Sequence, residues 1–165
     1  FAIDVVAADR NAAIDKLLSY AETDTLCYRA DPEDALYARQ LDQWEPLLEH
    51  LESKLTVRFR RVSGVMHSPQ PPETLDALRS HLGKQDDFTL SGMMAMASLA
   101  ASLCVALLAN DDEINDPMRL WQDANLEEEW QADQWGREEE AEARRARRGE
   151  SYSAAQVFVT LAQAG

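Results

Sequence analysis

The sequence predicts a mainly α fold, an orthogonal-type helix bundle carrying a small two-strand β element. Three observations carry that prediction. Apolar residues recur at helical spacing along most of the chain, as in Ile14, Leu17, Leu18 and Ala21 or in Leu75, Leu78 and Leu82. Only six glycines and six prolines occur in 165 residues, so connections should be short. An uncharged stretch, Phe88 to Asn110, is rich in small residues that let helices approach closely and cross steeply. A chain of this length reads as one domain over 1–165, able to bury about two-thirds of its unfolded surface.

Asp9 can cap a first helix that ends near Thr23-Asp24. Thr25 to Tyr28 is short, β-prone and bracketed by polar residues, which reads as a strand. Asp31-Pro32 supplies a cap and a first-turn proline for a second helix. Pro46 has no backbone N–H, so that helix is expected to break or kink near Trp44 and resume to about Lys54. Thr56 to Val62 reads as a second strand, flanked by Gly64. Strand, helix and strand in this order favour a parallel pair with a right-handed crossover. Three prolines make Met66 to Pro72 a loop, and an amphipathic helix follows from Pro72 to Leu82.

The stretch from Phe88 to Asn110 is long enough to cross a bilayer. Thr89, Ser91, Gly92, Ser98 and Ser102 argue against that, as do the flanking pairs Asp86-Asp87 and Asp111-Asp112, where a span would carry Lys, Arg or aromatics. A buried central helix, or two helices in tandem, is expected instead. Asp116-Pro117 opens the next helical segment, which runs through Trp121. Asn125 can N-cap the helix after it, with Glu128 completing a capping-box-like pair, and Gly136 is a natural stop. Beyond Arg137 the pairs Glu140/Arg144 and Glu142/Arg145 fit an exposed helix. Arg144, Arg145, Arg147 and Arg148 read as a solvated, salt-bridged face, with an anionic partner as the alternative. After Gly149, Tyr152, Ala155, Val159 and Ala162 form a last apolar face.

Thirty acidic residues against sixteen basic ones give a net charge of −14. That disfavours nucleic acid and anionic membranes, both of which need Lys and Arg to displace counterions. Cys27 and Cys104 are far apart in sequence and apolar in setting, so they read as reduced, buried hydrophobes and not as a disulfide or a metal site. None of His50, His67 and His81 follows an acid three residues earlier, and the sequence carries no His-Glu-x-x-His, Cys-x-x-Cys, calcium loop or glycine-rich phosphate loop. The expectation is therefore no enzyme, no metal and no cofactor.

Within Leu126 to Trp135, Glu127, Gln131 and Trp135 fall at i, i+4 and i+8 and share one row of the helix. A surface helix with packing tryptophans is the plain reading. The sharper one is a recognition face, because an indole beside hydrogen-bonding groups suits a partner better than bulk water. Gln40-Leu41-Asp42-Gln43-Trp44 repeats the Gln-x-Asp-Gln-Trp pattern of residues 131–135, again placing an amide and an indole one turn apart.

Leu126-Glu127-Glu128-Glu129-Trp130-Gln131, followed by Trp135-Gly136, resembles the C-terminal signature of the assembly chaperones for the alpha subunit of F-type ATP synthase. Glu22-Thr23-Asp24-Thr25-Leu26-Cys27-Tyr28-Arg29 agrees with that family, as do Gln40 with Trp44-Glu45-Pro46-Leu47-Leu48, and Gly64-Val65-Met66 with Pro69-Gln70. The Ser102-Leu103 pair fits as well. What the resemblance implies is a non-enzymatic chaperone that holds the free alpha subunit until it meets beta. It would bind through Glu127, Glu128, Glu129, Gln131 and Trp135, with Gln40 and Trp44 as a second patch. It would be monomeric, without membrane insertion, and would act in a bacterial cytoplasm or a mitochondrial matrix. The family carries a sheet-containing domain ahead of this region, and this chain, opening at Phe1, is expected to lack it. The rival expectation is a helical interaction domain of another complex, or part of an enzyme whose active site lies elsewhere.

Overall fold

The computed structural model describes residues 6–114 and 116–164. Its elements are α1 (Arg10–Glu22), β1 (Tyr28–Arg29), α2 (Ala35–Leu55), β2 (Val62–Ser63), α3 (Pro72–Gly83), α4 (Asp87–Ala100), α5 (Leu103–Ala109), α6 (Pro117–Ala124), α7 (Leu126–Trp135) and α8 (Glu139–Ala164). The fold is mainly α with one parallel two-strand ladder, Tyr28 opposite Val62 and Arg29 opposite Ser63. Both strands are shorter than expected and displaced toward the C-terminal ends of their predicted segments. The residues from Thr25 to Cys27 turn instead, because Asp24 and Thr25 are committed to hydrogen bonds elsewhere.

The uncharged stretch is two helices in tandem. Every residue of α5 is buried, as are Leu90, Met93, Met96 and Ala97 of α4. The break falls at Ala101, which adopts a left-handed φ of 52°, and at Ser102, whose hydroxyl accepts the Val105 N–H and caps α5. No described helix is long and apolar enough to cross a membrane. α8 packs antiparallel against α4: Phe88 meets Phe158, Gly92 lies against Val159, and Arg148 donates to the Leu99 carbonyl. The glycine permits that approach, since a Cβ there would fall 2.1 Å from Val159 Cγ2.

Three local expectations are corrected. α2 is a continuous helix through Pro46. Pro46 and Asp42 lie on the solvent face, so the Asp42 carbonyl freed by the missing N–H is left to water while Trp44 and Leu48 hold the inner face in the core. The cap of α2 is Asp34, which accepts the Leu36 N–H, and not Asp31. Asn125 does not cap α7: its amide donates to the Trp121 carbonyl and closes the end of α6. α8 runs unbroken through Gly149, which has the Trp121 indole pressed against it. Asp9 and Asp116 cap α1 and α6 as the sequence predicts, and Gly136 ends α7 at a φ of 105°.

Candidate functional site

α7 is held to the body by little. Leu126 is its one buried residue, and Trp130 packs partly against the core. The row predicted from spacing is on the outside: Glu127, Gln131 and Trp135 are all exposed, and Trp135 is 87% accessible. Trp44 and Trp121 are buried, so leaving one indole in water runs against the packing of the rest of the chain.

Glu128 and Glu129 point toward α8 and are already paired. Glu128 lies 3.4 Å from Arg148 and 3.5 Å from Arg145. Glu129 pairs with Arg145 and, at 2.9 Å, with Arg137. These contacts bear out the salt-bridged reading for Arg145 and Arg148, and Glu142 joins Arg145 at 3.7 Å; Arg144 and Arg147 are exposed and, among the described residues, form no ion pair. The acids around Arg137, namely Glu129, Asp133 and Glu142, raise its pKa further above the ordinary guanidinium range. Among the described residues Glu127 forms no ion pair, which leaves it the free carboxylate of the three.

Gln40 and Trp44 do not form a second surface patch. Gln40 is 1% exposed and accepts the Ala30 N–H at 2.8 Å. Trp44 is fully buried and its indole N–H donates to the Asp123 carbonyl at 2.7 Å. The repeated Gln-x-Asp-Gln-Trp pattern therefore serves opposite ends, structure at 40–44 and surface at 131–135. Spacing is the same in both, and only the surrounding chain decides which face is covered.

Most of the remaining motif residues meet inside the molecule, while Val65 and Met66 stay exposed. Asp24, fully buried, accepts the Ser102 hydroxyl at 2.5 Å, the Cys104 N–H at 2.9 Å and the Leu26 N–H at 3.1 Å. Burial raises its pKa despite those bonds. Thr25 Oγ1 donates to the Ala100 and Ala101 carbonyls, so the 22–29 motif clasps the α4–α5 break. Arg29 reaches Glu45 at 2.7 Å, and Arg61 joins the same carboxylate at 3.0 Å. Burial pushes Glu45 up, but the hydrogen bonds from Arg61 and Arg29 outweigh it and hold the carboxyl below its ordinary value. The Gly64 N–H donates to the Arg29 carbonyl, and Gln70 accepts the Arg60 N–H. Sequence reasoning could not sort these motifs, because each needs a partner dozens of residues away.

Two groups of ligand-type side chains converge among the described residues. Cys27 and Cys104, distant in sequence, come together beside Asp24 with all ligand atoms within 4.8 Å. Both thiols are free and buried, and burial drives the Cys104 thiol well above its usual range. The Asp24 oxygens facing them are taken by hydrogen bonds, so the group reads as a tether for α5. His50, Asp111 and Glu113 form the second group, where the Lys54 ammonium sits 2.6 Å from Asp111 and occupies the place of a cation.

This is, by fold, a helical domain built on a buried tandem pair, α4 and α5, with one loosely held acidic and aromatic helix on its surface. Two crystal structures of Atp12 from Paracoccus denitrificans, one of them a single-residue mutant, are each 34% identical to it with a TM-score of 0.90. The match covers 97% of this chain and 68% of theirs. The Atu1473 protein of Agrobacterium tumefaciens is 39% identical with a TM-score of 0.89, over 96% of this chain and 59% of that one. Protein atp12, mitochondrial, of Schizosaccharomyces pombe is 26% identical over 132 residues, 76% of this chain and 45% of that protein. The chain thus spans less than half the length of this curated relative. Residues 1–52 match the family described as ATP12 chaperone protein. The chain belongs to the ATP12 chaperone family.

Proposed function

We propose that this chain acts as an assembly chaperone, binding the free alpha subunit of the F-type ATP synthase catalytic head and keeping it from aggregating until it meets beta. A subunit destined for an obligate ring exposes a large apolar interface until its neighbours arrive, and such surface aggregates. The observation that carries this reading is the open row on α7, an indole 87% exposed beside an amide and an unpaired carboxylate. An exposed indole supplies apolar area to a partner, and a carboxylate beside it takes charge-assisted hydrogen bonds. Glu127, Gln131 and Trp135 make first contact. Glu128 and Glu129 join by exchanging their α8 arginines for donors on the client. Gln40 and Trp44 contribute by holding the scaffold that presents α7.

The test is to mix the purified protein with alpha and with beta subunits separately and measure how much of each stays in solution. Alpha should be retained and beta should not. Glu127→Lys and Trp135→Ala should abolish retention while leaving the fold intact. Equal retention of both subunits, or full retention by both variants, refutes the reading or its site.

A further inference from the structure

On the other side of α7 from the Glu127, Gln131 and Trp135 row lies a groove of about 890 Å³. α2, α6, α7 and α8 enclose it. Its apolar surface includes Met118 and Ala146, and its charged lining is asymmetric, with five carboxylates, Asp123, Glu129, Asp133, Glu142 and Glu150, against three guanidiniums. Two of those guanidiniums are engaged within the groove, Arg119 by Asp123 at 3.2 Å and Arg145 by Glu129. Among the described residues Glu150 has no ion-pair partner.

The mouth of the groove already holds a guanidinium. Arg137, just past the end of α7, sits among Glu129 at 2.9 Å, Asp133 at 2.5 Å and Glu142 at 2.9 Å. All four side chains are at least 38% exposed. Exposed ion pairs are worth little in water, so this occupant can be exchanged. The chain's own arginine thus marks a nest of three carboxylates shaped for a cation on a polypeptide.

We propose that this groove docks a basic amphipathic segment of a partner protein, whose Arg or Lys takes the place of Arg137 among Glu129, Asp133 and Glu142 while its apolar side chains lie along Met118 and Ala146. The surplus of carboxylates selects positive charge, and the net charge of −14 adds long-range attraction. The groove shares Glu129 with the surface proposed for alpha but includes none of Glu127, Gln131 and Trp135, so variants confined to that row or to Asp133, Glu142 and Ala146 separate the two.

Fluorescence anisotropy with a fluorescein-labelled amphipathic peptide of Leu and Arg tests it, with a matched Leu and Glu peptide as control. The Arg peptide should bind with an affinity that falls as salt rises, and the Glu peptide should not bind. Ala146→Trp, which fills the groove from an exposed helix position, and the double variant Asp133→Asn with Glu142→Gln should each weaken binding by about tenfold. Arg137→Gln vacates the nest and should tighten binding. Trp135→Ala, which leaves the charge as it is, should leave the peptide affinity unchanged, even where it abolishes retention of alpha. Wild-type affinity in the groove-filling and double variants means that net charge alone attracts the peptide, and overturns the proposal. So does absence of binding, or equal binding of the Glu peptide. Unchanged or weaker binding by Arg137→Gln refutes the exchange. Far-UV circular dichroism confirms that each variant is folded, and the double variant alters only exposed side chains.

Discussion

Gly92→Ala tests the packing on which the fold rests. The added methyl would lie 2.1 Å from Val159 Cγ2, 3.3 Å from the Ala155 carbonyl oxygen and 3.5 Å from Phe158 Cδ1. Helix propensity alone favours alanine by about 0.8–1.0 kcal/mol, so a roomy site would show stabilisation. Here Val159 must move, and a β-branched side chain in a helix has essentially one comfortable χ1. The Ala155 carbonyl, being backbone, can retreat only if α8 shifts away from α4. Overpacking of this kind costs about 1–3 kcal/mol. We expect a net loss near the middle of that range, about 2 kcal/mol, and a fall in Tm of about 4–8 °C. Val159→Ala also destabilises, by leaving a cavity, but it removes the atom in conflict. The double variant should therefore be more stable than the sum of the two losses by about 1 kcal/mol or more. Urea unfolding followed by circular dichroism measures all three. A Gly92→Ala protein as stable as the parent, or strict additivity in the double variant, would show that α8 does not cross α4 at this glycine.

Trp44→Phe removes the donor to the Asp123 carbonyl and leaves a gap in the core, and should cost about 2–4 kcal/mol in urea unfolding. Glu129→Arg sets a third guanidinium beside Arg137 and Arg145 and should lower Tm, whereas Glu127→Lys, on the open face, should change stability by no more than about 0.5 kcal/mol. Asp111 gives a pH signature. Burial raises its pKa, but the hydrogen bonds from Lys54, the Glu113 N–H and His50 outweigh that, and its folded pKa lies below the ordinary value. The stabilisation it contributes is therefore present above the unfolded pKa of about 3.9 and is lost as pH falls through the lower folded value. Asp111→Asn should be less stable than the parent at neutral pH, with the gap closing in unfolding curves taken at progressively lower pH; a gap that widens on acidification would refute the pairing.

Features that depend on neighbouring residues were legible in the chain. The Asp9 and Asp116 caps, the apolar stripe of α1, the stop at Gly136 and the alignment of Glu127, Gln131 and Trp135 in one row all follow from spacing within a few turns. The parallel sense of the strand pair also followed, because the connecting helix leaves the chain entering β2 in the same direction. Their lengths did not, since Asp24 and Thr25 are taken by the α4–α5 break some 75 to 80 residues away. Pro46 failed to break α2 for a related reason: its face is wet, and the buried Trp44 and Leu48 on either side keep the helix whole.

The sequence by itself determined where most of the helices lie, which face of several is apolar, and that Glu127, Gln131 and Trp135 line up in one row. Tertiary structure alone decided that Gln40 and Trp44 go inside while their echo at 131–135 stays out. It also brought Cys27 to Cys104, tied Glu128 and Glu129 to the arginines of α8, and opened the groove around Arg137. Periodicity and capping are settled between residues a turn or two apart, so a contiguous stretch encodes them. Which stretch covers another depends on the packing of the whole chain, and no local pattern carries it.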